Sequence, residues 1–77
     1  MRTTSKKYKM KIFFKEPIPY LAEDGTLLIS VHCRSLRGAE KEARKYADMF
    51  AQQFAKPTHC EIEYRLKDGK TIHRLDF

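Results

Sequence analysis

The 77-residue sequence has no tryptophan, two cysteines, three glycines and three prolines. It also lacks any long apolar run, the longest aliphatic stretch being Leu27, Leu28 and Ile29. A membrane-spanning helix needs about 20 consecutive apolar residues, so no span is expected. The start of the chain, Met1 to Lys11, is polar and lysine-rich. A secretory signal would place an apolar stretch there, and a cytoplasmic location is therefore expected. Two cysteines are too few for the disulfide frameworks of small secreted domains, which points to free thiols in a reducing compartment. There is no glycine-rich phosphate loop, no serine or cysteine nucleophile signature and no carboxylate pair set for acid–base work. The expectation is a non-enzymatic protein with no cofactor and no small-molecule substrate.

What the chain does contain is periodicity. Tyr8, Met10, Ile12 and Phe14 alternate with Lys9, Lys11, Phe13 and Lys15, the period of two that marks a half-buried strand. Residues 1–7 precede it without periodicity and read as a flexible basic arm, leaving 8–77 as one domain. Glu16 to Gly25 carries Pro17 and Pro19 and closes on Asp24-Gly25. This segment is compatible with a tight hairpin at Asp24-Gly25 or with a longer loop, and the prolines favour the longer loop. Alternation resumes from Thr26 to Arg34, with Leu27, Ile29, Val31 and Cys33 on one face.

Ser35 is suited to cap a helix, and Leu36, Ala39, Ala43, Ala47, Phe50 and Phe54 then recur at steps of three and four. The helix is expected from about Leu36 to Ala55, stopped by Lys56-Pro57. Thr58 to Leu66 is a third strand, with Cys60, Ile62, Tyr64 and Leu66 inward. Asp68-Gly69 is a hairpin signal. Taken as the loop, it sets Leu66 opposite Thr71, Tyr64 opposite His73, Ile62 opposite Leu75 and Cys60 opposite Phe77, with Glu63 facing Arg74. The fold class follows as α+β, in the order β-β-α-β-β: a four-stranded, largely antiparallel sheet with one helix on one face.

The formal charge of +6 is unevenly placed. Arg2, Lys6, Lys7, Lys9, Lys11 and Lys15 are accompanied by no acid before Glu16, and the remainder of the chain has equal numbers of acidic and basic residues. A neutral scaffold therefore presents one basic element. Lys6, Lys7, Lys9, Lys11 and Lys15 could neutralise nucleic-acid phosphates, with Tyr8 and Phe13 available to stack on single-stranded bases. Two structural roles compete: lysines on an edge strand discourage aggregation, and Lys9 and Lys11 could pair with Glu61 and Glu63 if the first and third strands are neighbours.

A second candidate surface is apolar. Phe13, Leu28 and Ile72 project onto the sheet face opposite the helix and, if adjacent, would suit a protein partner or a homodimer. A domain of this size buries only about 60% of its unfolded surface, so self-association is a natural route to more burial. The dipeptides His32-Cys33 and His59-Cys60 invite a metal reading, but neighbouring strand residues point to opposite faces, so no metal site is expected. His73 beside Tyr64 reads as a core-face histidine. Ser35-Leu36, Ala39, Ala43, the strand after them, Asp68-Gly69 and the closing strand look like the β-α-β-β layout of many small accessory proteins of phages and mobile elements, some anti-CRISPR proteins among them. That resemblance implies an alternative role as an inhibitor of a host protein, as an analogy of architecture.

Overall fold

The computed structural model describes residues 6–66 and 69–77. Strands β1 (Lys6–Phe13) and β2 (Thr26–Cys33), helix α1 (Leu36–Gln53), and strands β3 (His59–Leu66) and β4 (Gly69–Asp76) follow one another along the chain. The sheet order is β2-β1-β3-β4 with every neighbouring pair antiparallel. The α+β architecture is thus the one that the alternation and the single helical stripe imply.

β1 starts at Lys6, two residues earlier than the alternation suggests. β2 continues past Tyr8 and draws Lys7 and Lys6 into register opposite His32 and Cys33. Only residues 1–5 of the expected arm lie outside the described residues. β1 is flanked on both sides, and its inward residues Tyr8, Met10 and Ile12 are no more than 2% exposed.

The helix reaches this core through small residues. Ser35 Oγ accepts from the Gly38 N–H at 3.4 Å and so caps the first turn. Ala39, Ala43 and Ala47 are buried and let the helix backbone lie close to the sheet, while Phe50 fills the far end against Phe14. The helix ends at Gln53, with the Phe54 N–H still donating to the Phe50 carbonyl at 2.7 Å. Buried Pro57 follows and disfavours helix in the residue before it.

Between β1 and β2 the longer loop forms. Phe14 N–H donates to the Gly25 carbonyl at 2.8 Å, and Asp24 accepts from both the backbone and hydroxyl of Thr26, which holds its carboxyl below the usual range. Within the loop, Ile18 and Ala22 exchange backbone hydrogen bonds of 2.8 Å in both directions. The Leu21 N–H donates back to Ile18 across Pro19 and Tyr20. Proline first and a positive φ of 68° at Tyr20 describe a turn whose second position suits glycine.

The β3–β4 register differs by two residues from the Asp68-Gly69 expectation. Leu66 faces Gly69, Tyr64 faces Thr71, Ile62 faces His73, Cys60 faces Leu75 and Glu61 faces Arg74. Asp68 itself lies outside the described residues. A two-residue shift keeps every side chain on its face, so alternation does not distinguish the two registers. The observed one brings His73 within 2.7 Å of Glu40 on the helix and leaves the Phe77 N–H to the Thr58 carbonyl at 3.3 Å.

Tyr20 is fully exposed and so gains nothing by burial while sitting in the left-handed region. Tyr20→Gly should raise the unfolding free energy in urea by about 0.5–1 kcal/mol, because the relieved backbone strain exceeds the entropy that glycine adds to the unfolded chain. An unchanged or lower midpoint would contradict a strained turn.

Candidate nucleic-acid interface

One face of the sheet is free of the helix, and the strand order arranges its side chains in four rows across the strands. The first holds Thr26, Phe13, His59 and Asp76, and the second Leu28, Lys11, Glu61 and Arg74. The third holds Ser30, Lys9, Glu63 and Ile72. At the far end His32 and Lys7 pair on one side, and Arg65 and Lys70 on the other. Charges of both signs alternate in the middle rows. The last row contains no acid.

The β1–β3 ladder stops at Lys9 and Glu63. One more outward pair would set Lys7 directly against Arg65, and like charges at opposed positions are destabilising. The two strands part there, opening a cleft of about 520 Å³ lined by Lys6, Lys7, Lys9, Glu63, Tyr64, Arg65 and Lys70. Five cations thus surround one carboxylate. Glu63 lies 3.8 Å from Lys70. Among the described residues, Lys6, Lys7, Lys9 and Arg65 have no carboxylate within 4.0 Å. Lys9 is placed opposite Glu63 and Lys11 opposite Glu61, the cross-strand arrangement expected if β1 and β3 are neighbours.

Of the lysines singled out from the sequence, Lys6, Lys7 and Lys9 meet in this cleft. Lys11 lies beyond them, its ammonium 5.4 Å from the Phe13 ring centre. Lys15 is at the opposite end, beside Pro17, Ile18 and Lys56. Arg65 and Lys70 are the residues that the sequence reading missed. Both come from the β3–β4 hairpin, and nothing short of the strand order joins them to the first fifteen residues.

The proposed stacking partners are differently placed. Tyr8 is 2% exposed and packs on Tyr64 with ring centres 5.5 Å apart, so it offers no face to a base; burial also raises its phenol pKa. Phe13 is already stacked on His59 at 4.3 Å and nearly parallel. Half-buried Tyr64 lines the cleft together with the cations, packed on Tyr8.

Phe13, Leu28 and Ile72 occupy three different rows and strands. Leu28 and Ile72 sit on opposite edges of the sheet, separated by about 14 Å across three strand spacings and by about 7 Å along the strands, at the two ends of one groove over β1 and β3. The lysines and glutamates of β1 and β3 lie between them, so they do not form one apolar patch. The histidine–cysteine dipeptides divide between faces: His59 stacks on the open side while Cys60 is fully buried, its thiol pushed up to about 11 by burial.

Comparison with protein-family models, with curated proteins and with solved structures returns no match to this chain.

If charge repulsion ends the β1–β3 ladder, Arg65→Glu should extend it. The expected result is a gain of about 0.2–1 kcal/mol in urea unfolding, the range for a cross-strand ion pair. A loss of stability would show that the cleft is set by something other than the Lys7–Arg65 opposition.

Proposed function

We propose that this protein is a non-enzymatic module that binds the phosphate backbone of single-stranded nucleic acid in the cleft between β1 and β3. The observation that carries this reading is the convergence of Lys6, Lys7, Lys9, Arg65 and Lys70 around the single carboxylate of Glu63. Like charges held together raise the free energy of the unliganded protein, and a polyanion relieves that repulsion while releasing its own counterions. Half-buried Tyr64 offers an aromatic surface beside the phosphate-binding cations. Lysine and arginine neutralise phosphates whatever base follows, so the proposed binding depends on the backbone and not on sequence.

Lys11 continues the basic track along β1, whereas Lys15, two residues past the end of the strand, stands outside the cleft at the opposite end of the sheet. The test is fluorescence anisotropy with a labelled single-stranded oligonucleotide over a salt series. Three to five phosphate contacts predict a slope of log affinity against log salt of about −2 to −3.5. Lys7→Ala with Arg65→Ala should weaken binding at least about tenfold and flatten the slope by about 1.4. Lys15→Ala should leave both nearly unchanged. Binding that is insensitive to salt, or that survives the double substitution, would refute the cleft as the site.

A further inference from the structure

The sheet has two outer edges, and they are built differently. β4 carries Lys70, Arg74 and Asp76, charges that oppose pairing with another strand. β2 reads Thr-Leu-Leu-Ile-Ser-Val-His-Cys and has no acidic, lysine or arginine residue. It has no proline, and its eight residues pair one for one with β1, so no bulge twists its free side away. Among the described residues, this edge therefore has no lysine, arginine, acidic residue, proline or bulge of the kind that discourages pairing.

Burial is also incomplete on this side. On β1 the inward residues Tyr8, Met10 and Ile12 are at most 2% exposed, but Leu27, Ile29, Val31 and Cys33 beside them on β2 are all only half-buried. On the opposite face Leu28 is 73% exposed. Apolar surface is therefore open on both sides of a strand whose outer backbone N–H and C=O groups have no ladder partner among the described residues.

We infer that β2 pairs antiparallel with β2 of a second copy of this chain, joining two four-stranded sheets into one of eight strands. Antiparallel pairing of a strand with itself is two-fold symmetric and closed: it uses both uncharged edges and leaves only the charged β4 edges outside. Opposed residues share a face, so the half-buried row of each copy meets the same row of the other. Asp24 lies just before the strand and Arg34 just after it, so antiparallel pairing centred on Ile29 brings the acidic start of each β2 toward the basic end of the other. The same register matches Leu27 with Val31 on the inner face and Leu28 with Ser30 on the outer one.

The symmetry axis runs perpendicular to the sheet, so both helices lie on one side and both open faces, with Lys7, Lys9, Arg65 and Lys70, on the other. The pairing itself does not depend on nucleic acid and is tested without it.

Light scattering on the purified full chain, across micromolar to millimolar concentrations, should give twice the 9.1 kDa monomer mass. Leu28 and Ser30 are exposed on the open face, so Leu28→Lys with Ser30→Lys should keep the circular dichroism of the native fold and return the mass to one chain. Ile72→Lys, on the β4 edge, should leave the dimer intact. A wild-type mass of one chain throughout would overturn the inference, as would a dimer dissociated by Ile72→Lys and not by the β2 pair. Should the β2 variant unfold, hydrogen exchange of the unmodified chain decides the question. Protection of β2 amides rising with concentration supports the pairing, and concentration-independent exchange contradicts it.

Discussion

The structure depends on the two-sided use of β1. Its inward residues Tyr8, Met10 and Ile12 are sealed from water, and its backbone pairs with β2 on one side and β3 on the other. In so small a domain the core has little surplus. Burying a large apolar side chain contributes about 1.5–3 kcal/mol, against a total stability of the order of 5–15 kcal/mol for folded domains. Alternation along β1 separates this burden from the charge: every second residue is committed to the core, and the lysines between are left to solvent. The basic element can consequently change its partners without disturbing the packing beneath it.

The strand order determines what those lysines meet. Had β1 been an edge strand, Lys7, Lys9 and Lys11 would have had acidic or neutral neighbours on one side only. Between β2 and β3, Lys9 and Lys11 instead lie opposite the glutamates of β3, while Lys7, beyond the end of the β1–β3 ladder, lines the cleft together with Arg65. Charge balance along the middle of the open face and imbalance at its end are two results of one register. The cleft lies where the β1–β3 ladder has ended, at the position where continued pairing would oppose Lys7 and Arg65.

Much of the fold was legible in the sequence because its elements rest on local rules: alternation in four segments, Ser35 before an alanine stripe, and Pro57 after it. The β3–β4 register was not, since moving Gly69 from the loop to a position opposite Leu66 leaves every side chain on the same face. The observed register is the one in which His73 hydrogen-bonds Glu40 on the helix, a contact that lies outside the strands' own pattern. The site was legible by half. Lys6, Lys7 and Lys9 stand out as an acid-free run, whereas Arg65 and Lys70 belong to a locally mixed segment and acquire their significance only when β3 lies beside β1. Tyr8 shows the opposite limit: the alternation that makes it a core residue removes it from any role in stacking.

The central claim is that the charge on the outer side of β1 forms a binding site supported by, and separable from, the core on its inner side. Backbone amide chemical shifts followed by NMR during titration with a single-stranded oligonucleotide test this residue by residue. Shifts should concentrate at Lys6–Lys9, Glu63–Arg65 and Lys70 at low salt and fade as salt is added, with the amides of Ala43, Ala47 and Phe50 in the helix unmoved. Shifts centred on the helix, or none at low salt, would contradict it.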